Sequence, residues 1–375
     1  MEIYDRLESV KVSGWKSIRE MEEPLKLNSV NVMIGANGAG KSNLLSFFHL
    51  LNSLVGEQLA DFVRRKVGGA NSALHYGAKR TPEMSAELVF TTSRGENSYS
   101  FELGSTVANE LVFTKERLRF SAVLNEGLPY EKSLGGGYET RLREEKERGN
   151  KTAEVVYGLL ARCRRYHFHD TSPEANISLP CEVTYNYFLS PDAGNLAAML
   201  YFYKNHRPLA YRRIVSVLRK VVPLFDDFDL QPTPENERQI RLQWRQKESD
   251  YPFASYQTSD GSLRMMALAT LFLQPEENLP LLIVLDEPEL GLHPYAVEIL
   301  AELIQSVSYR TQTIVATQSP FLINYFQPED VIVVDTVDGA SQFRRLDSVL
   351  LADWLEDYSL GEIWEKNVIG GTIFP

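Results

Sequence analysis

Apolar and polar residues alternate with a period of two along several stretches of the N-terminal part, at Leu7–Val12, Ser85–Phe90, Ser98–Leu103 and Glu110–Thr114. Such alternation predicts strands with one buried face, and the turn residues Ser93–Asn97 between two of them predict an antiparallel meander. Val30–Ile34 is a short, mostly apolar run and reads as a further strand. The glycine-bearing, charged stretch from Gly135 to Asn150 reads as an exposed connection. From Thr152 to Val222 the pattern turns mostly helical, interrupted by a strand predicted at Val183–Leu189. From Thr258 onward strand and helix alternate: a helix over Ser262–Leu273, a strand at Leu281–Leu285, a helix at Pro294–Val307, and strands at Thr313–Thr317 and Val331–Val334. That rhythm predicts an α/β fold whose core sheet is mixed and largely parallel, with an antiparallel N-terminal β meander and a helical insertion. The expected division is an N-terminal lobe over 1–116, a mainly helical insertion over 117–230 and a C-terminal lobe over 231–375. No internal repeat and no sustained heptad pattern accompanies these elements.

Composition narrows the class. Hydrophobic residues make up 43% of 375, with 18 Phe and 18 Tyr, enough for a sizeable core. The longest apolar stretch, Leu279–Leu285, is too short to span a bilayer, so no membrane partner is expected. Met1–Arg6 lacks the basic and apolar regions of a secretory signal. Cys163 and Cys181 are too few for a disulfide framework and fit a reducing cytoplasm. With 39 Lys and Arg against 50 Asp and Glu, the net charge of −11 gives no overall attraction for nucleic acid. Basic residues do cluster locally, at Arg64–Lys66, at Arg162, Arg164 and Arg165, and at Arg207, Arg212, Arg213, Arg219 and Lys220. Those clusters leave open both a phosphate-binding surface for DNA and plain solvated helix faces.

Two segments carry the chemistry. Gly35-Ala-Asn37-Gly38-Ala39-Gly40-Lys41-Ser42 has the G-x-x-x-x-G-K-S form; it is entered from the Val30–Ile34 run and leaves into Asn43-Leu-Leu-Ser-Phe-Phe. Strand, glycine turn and helix is the setting in which backbone N–H groups and a helix N-terminus hold phosphate oxygens. Far along the chain, Leu281-Leu-Ile-Val-Leu-Asp286-Glu287 is a buried strand ending in two carboxylates, suited to holding a magnesium ion and activating water. Ahead of it, Thr258-Ser259-Asp260-Gly261-Ser262-Leu263-Arg264 opens a helix. After it come Pro288-Glu289-Leu290-Gly291-Leu292-His293-Pro294 and a strand ending in Ala316-Thr317-Gln318-Ser319-Pro320.

In this order of motifs the chain resembles the ATPase heads of the ABC class, and within it the RecF, SMC and OLD branch. Asn37 in the loop, Ser13–Ile18 ahead of it and Asp286–Pro294 carry the likeness. It covers the N-terminal lobe and residues from about Leu179 onward, and leaves most of Arg117–Ser178 unassigned. The resemblance implies an ABC-type head that binds ATP and Mg²⁺ and hydrolyses ATP. Lys41 would contact the β- and γ-phosphates within the cradle of Gly35, Asn37, Gly38, Ala39, Gly40 and Asn43. Ser42 and Asp286 would hold the magnesium ion, and Glu287 would be the general base. Ser259, Gly261 and Ser262 would act as a signature motif reaching the γ-phosphate bound to a second subunit, making ATP the glue of a homodimer. Where the family often carries a histidine that senses the γ-phosphate, this chain has Gln318, whose amide can still donate a hydrogen bond.

The resemblance further implies a cytoplasmic protein that regulates or positions a separately encoded effector, a nuclease above all, in anti-phage defence or DNA maintenance. An OLD-type nuclease domain is not expected in the stretch that follows Pro320. Two alternatives stand beside this: a nucleotide-gated scaffold or DNA clamp with little hydrolysis, and a transporter subunit, which the absence of a Leu-Ser-Gly-Gly-Gln signature disfavours. Trp15 and Lys16 are either adenine contacts or core. Leu189–Leu196 resembles a segment of these ATPases, with no role attached. His167-Phe-His169-Asp170 lacks further metal ligands at suitable spacing. Asp226-Asp-Phe-Asp229 reads as an acidic turn, Asp335–Asp338 as another turn, and the two cysteines as ordinary buried residues.

Overall fold

A computed structural model describes residues 4–122, 128–234 and 236–371. Met1–Ile3, half of the segment read for a signal, lie outside the described residues. The contacts divide the chain into two units, one of residues 1–165, 280–284 and 311–375, the other of residues 166–279 and 285–310.

In the first unit the chain forms β1 (Arg6–Trp15), β2 (Ile18–Glu20), β3 (Leu25–Lys26), β4 (Val30–Ile34) and α1 (Lys41–Val55). It continues through β5 (Glu83–Thr92), β6 (Gly95–Ser105), β7 (Leu111–Ala122), β8 (Tyr130–Ser133) and α2 (Lys151–Ala161). All these strands except β4 make one antiparallel sheet in the order β2-β1-β5-β6-β7-β8, with β3 also on β1. The meander read from the alternation is therefore present, and β7 runs well past Thr114. The expected boundary at 116/117 falls inside that strand.

Strand β4 belongs to a second sheet, with β9 (Cys163–Tyr166), β10 (Leu282–Asp286), β11 (Gln312–Ala316), β12 (Val331–Val337) and β13 (Ala340–Arg345), in the order β13-β12-β4-β11-β10-β9. Beside β4, Thr313–Ala316 and Val331–Val333 run parallel, while β13 returns antiparallel on β12. All five residues of β4 and of β11 are buried, as a strand covered on both faces requires. The fold is thus the expected mixed, largely parallel α/β type. Strand β12 extends beyond Val334, so the turn read at Asp335–Asp338 is Asp338–Gly339 instead. Asp335 accepts a hydrogen bond from the Gly371 N–H at 2.7 Å.

One apolar core fills the unit. It takes Leu7, Val10 and Val12 from β1, Phe47, Phe48 and Leu51 from α1, Phe90 and Phe101 from the meander and Ile332 and Val334 from β12. Each such side chain contributes roughly 1.5–3 kcal/mol on burial. Buried Gln312 works like a piece of strand backbone, because its amide accepts from the Leu7 N–H (2.7 Å) and donates to the Leu7 carbonyl (2.9 Å). Those two bonds satisfy β1 where its register against β5 shifts between Leu7 and Ser9.

The stretch 135–150 is more ordered than an exposed connection. Phe113 and Gly137 exchange backbone hydrogen bonds at 2.7 and 3.0 Å. Glu116, 1% exposed, accepts from the Tyr99 hydroxyl (2.7 Å), the Thr140 hydroxyl and the Arg141 N–H (3.0 Å). A single buried carboxylate thereby pins the segment to β6 and β7.

The second unit holds α3 (Leu196–His206), α4 (Pro208–Val221), α5 (Asp260–Leu273) and α6 (Pro294–Val307) with two small antiparallel sheets. One sheet is made of Cys181–Glu182, Pro232–Thr233 and Asn236–Ile240, the other of Phe225–Phe228, Gln243–Gln246 and Pro252–Ala254. The strand expected at Val183–Leu189 is absent. The Asn195 side chain, fully buried, takes the Tyr185 and Phe188 carbonyls and the Ser190 N–H, and so folds the segment into a loop. The segment Leu189–Leu196 has this structural role. Asp226–Asp229 is no turn up to Phe228, because Phe225 and Phe228 are buried and make that piece a strand.

Burial raises the Glu116 pKa above its ordinary value, against the opposing hydrogen bond from Thr140. A raised folded-state pKa favours the protonated form, so this contribution to stability is full below the unfolded-state value. It is lost as pH rises through the raised one. Glu116→Gln should remove that slope, which denaturant unfolding across a pH series measures.

Candidate functional site

In the first unit, β4 delivers the chain into Gly35–Ser42 at the end of the sheet where β11 also finishes. The Thr317 N–H bonds the Met33 carbonyl at 3.0 Å, and exposed Gln318 follows directly. Asn37 and Gly38 stand exposed, with nothing within 4 Å of the place a Gly38 Cβ would occupy. Gly40 is the N-cap of α1 in a left-handed conformation (φ +114°), with no side-chain cap and no acidic residue in the first turn. Helix N–H groups left without a side-chain acceptor make a seat for an anion. Lys41 is buried, and its Nζ bonds back onto the loop's own Gly35 and Ala36 carbonyls, while Ser42 is exposed. The donor set fits a polyphosphate: a loop open at its tip, a lysine held within it and an exposed hydroxyl.

The surroundings of α1 are electropositive. Burial lowers His49 to about 4, helped by the charges of Arg165, Lys66 and Lys16, and burial with Arg165 also lowers Lys16. Trp15 is fully buried, with its indole N–H on the Asn43 carbonyl at 3.0 Å, so of its two readings the core one holds. Lys16 follows it in a left-handed conformation (φ +48°).

In the second unit, Asp286 closes β10 and Glu287 follows with φ +40°. A non-glycine residue held there stores roughly 1–3 kcal/mol of backbone strain, which the surroundings must over-determine. The next loop is tied down by residues to which the sequence reading gave no role. His169 Nε2 bonds the Asp286 carbonyl at 2.7 Å. The Arg264 guanidinium donates to the carbonyls of Phe168 (3.2 Å), His169 (3.0 Å) and Leu290. Arg264 is the one basic residue of α5, followed by turns that are apolar but for Thr270, and that isolation was its signal in the sequence. His167 and His169 stack on each other, their centroids 4.4 Å apart. Among the described residues no group of metal-ligating side chains forms.

The signature-like segment belongs to the same unit. Ser259 caps α5, accepting from the Ser262 N–H at 3.2 Å, and Asp260 accepts from the Thr171 hydroxyl at 2.8 Å. A Cβ on Gly261 would strike the Gly291 carbonyl, so only glycine allows this approach. The segment and the loop after the carboxylates are thus packed together within one unit.

Other expectations resolve plainly. Arg64 and Arg65 pair with Asp61, Arg162 with Asp5, Arg207 with Glu277 and Arg219 with Asp226. Much of the basic clustering is therefore balanced locally. Burial pushes the Cys163 thiol up to about 12, whereas Cys181 is only half-buried, a correction to its reading as core. No helix among the described residues is long and apolar enough to cross a membrane.

The family described as "AAA domain, putative AbiEii toxin, Type IV TA system" matches residues 30–156 and 161–324. The chain belongs to this family. Its fold is that of SMC heads. An SMC head bound to the C-terminal winged-helix domain of ScpA aligns at 15% identity with a TM-score of 0.59, over 93% of this chain and 99% of that one. An SMC head with an extended coiled coil, bound to the C-terminal domain of ScpA from Pyrococcus furiosus, aligns at 14% identity and TM-score 0.57, over 94% and 99%. No curated protein matches the chain. Family and fold together make this protein an AAA-family ATPase domain with the fold of SMC heads, in line with the ABC-class likeness read from its motifs.

Arg264→Ala leaves three carbonyls without their donor and should destabilise the protein by about 2 kcal/mol. Arg264→Lys, lacking the planar fork, should recover only part of that. Denaturant unfolding of both variants checks it.

Proposed function

We propose that the chain binds ATP with Mg²⁺ at Gly35–Asn43, hydrolyses it, and dimerises around two shared sites to gate or position a separately encoded effector, most simply a nuclease. The observation that carries this is the sheet edge where β4 and β11 end together, with an uncapped helix start, Lys41, Ser42 and Gln318 all on it. Backbone N–H groups of the loop and the Lys41 ammonium would take the β- and γ-phosphate oxygens. A magnesium ion, held by Ser42 and Asp286, would supply charge neutralisation there. Glu287 would accept a proton from the attacking water as its oxygen bonds to the γ-phosphorus and the β–γ bridge breaks, releasing ADP and phosphate. Gln318 would orient that water or the γ-phosphate through its amide. Ser259, Gly261 and Ser262 of a second copy would complete the site from the opposite side, with backbone N–H groups and a helix N-terminus.

The family description names a toxin of a type IV toxin–antitoxin system, which supports a place in bacterial defence. The SMC heads of similar fold are bound to a domain of ScpA, which supports partner binding as the use of such a fold. A second reading, a nucleotide-gated scaffold with little hydrolysis, is favoured by Gln318, because an amide cannot take up a proton as histidine can.

Glu287→Gln separates the two. For a hydrolase, ATP turnover should fall about 10²–10⁴-fold while ATP binding persists and the ATP-bound dimer accumulates in light scattering. Turnover unaltered by the substitution would favour the scaffold. Affinity for duplex DNA, measured against salt with and without ATP, tests the basic clusters; contacts from Arg212, Arg213 and Lys220 to phosphate should give a steep salt dependence.

A further inference from the structure

The phosphate-binding loop is held from behind by two serines, Ser341 and Ser17, to which the sequence reading gave no role. Ser341, in β13 and 3% exposed, places its hydroxyl 2.6 Å from the Ala39 carbonyl and 2.7 Å from the Ser17 hydroxyl. The Ser17 oxygen also accepts from the Asn43 side-chain amide at 2.6 Å, and the Ser341 N–H bonds the Ser17 carbonyl at 2.8 Å. A hydroxyl has one proton, and a carbonyl can only accept. The Ser341 hydroxyl therefore shares its proton between the Ala39 carbonyl and the Ser17 oxygen, and Ser17 accepts from both Ser341 and the Asn43 amide. The result is a hydrogen-bonded relay joining α1, both serines and the loop.

The relay has a directional consequence. In a trans peptide the carbonyl and the following N–H point opposite ways. Fixing the Ala39 carbonyl against Ser341 therefore aims the Gly40 N–H away from the brace, toward the open side of the loop. Gly40 fits only because it has no side chain, since a Cβ there would strike the hydroxyls of both Ser341 and Ser17. The brace is anchored independently of the loop. Ser341 pairs with Thr336 of β12, which itself runs beside β4. Ser17 is set by the turn at Lys16, whose N–H bonds the Ala73 carbonyl at 2.7 Å and whose carbonyl meets His75 Nδ1 at 2.7 Å.

We propose that Ser17 and Ser341 are positioning residues for the phosphate-binding loop, pre-aiming the Gly40 N–H at a bound polyphosphate. The proposal rests on the nucleotide reading above and deepens it. Its test is calorimetric titration of the full chain with Mg·ADP and Mg·ATP, alongside thermal unfolding without nucleotide. Ser341→Ala and Ser17→Ala should each weaken both nucleotides roughly three- to tenfold, and that loss should not scale with the modest fall in melting temperature each variant shows. Ser341→Thr, which keeps the hydroxyl, should bind like the wild type, and the double alanine variant should lose little more than either single one.

Wild-type affinity in both alanine variants would overturn the proposal, as would a loss in Ser341→Thr equal to that in Ser341→Ala. So would a loss of affinity that tracks a lowered melting temperature, because the brace would then be structural alone. Failure of the wild type to bind either nucleotide would instead remove the nucleotide reading itself.

Discussion

Strand β4 is hydrogen-bonded in parallel to β11 on one side and β12 on the other, and the first unit depends on that pairing. A parallel pair forces neighbouring strands to finish at the same edge, so Gly35 and Thr317 leave the sheet together. Ligand sites of open parallel sheets form outside the carboxyl ends of their strands for the same geometrical reason. The strands that bracket β4 come from nearly 300 residues further along the chain, so β4 cannot be buried until they exist. Late pairing of that kind is slow and leaves an apolar strand edge open until β11 and β12 close it on both sides.

The second unit arranges its chemistry by a different device. Its carboxylates lie where a strand turns into a loop, and that loop is positioned by side chains reaching backbone carbonyls. Arg264 can serve three of them because a guanidinium offers five donors in a fixed plane. The helix that starts with the signature-like serines therefore also carries the residue that orders the loop after Glu287. A displacement of that helix start acts directly on the carboxylate loop, through groups already in contact.

Much of this was legible in the residues. Period-two alternation gave the meander, and the largely apolar runs at Val30–Ile34 and Leu281–Leu285 gave strands, because in each case burial sets the pattern. The turn of Gly35–Gly40 between β4 and α1 was legible because spaced glycines mark a strand-to-helix connection. The failures have physical causes too. Val183–Leu189 has strand composition, yet Asn195 takes over its backbone groups. Phe225 and Phe228 were masked by the carboxylates between them. Residues 135–150 looked exposed because the group that orders them, Glu116, lies in another element. Ser17 and Ser341 are far apart in sequence and individually unremarkable, so only the folded chain brings their hydroxyls together.

The left-handed conformation of Glu287 sets stability against chemistry at one position. Glycine would adopt that backbone without strain, so Glu287→Gly relieves the fold of a conformation that a carboxylate-bearing side chain must endure. Selection that rewarded thermal resistance alone would therefore tend to erase this carboxylate. Its persistence in a lineage would be a mark of use, legible without any assay.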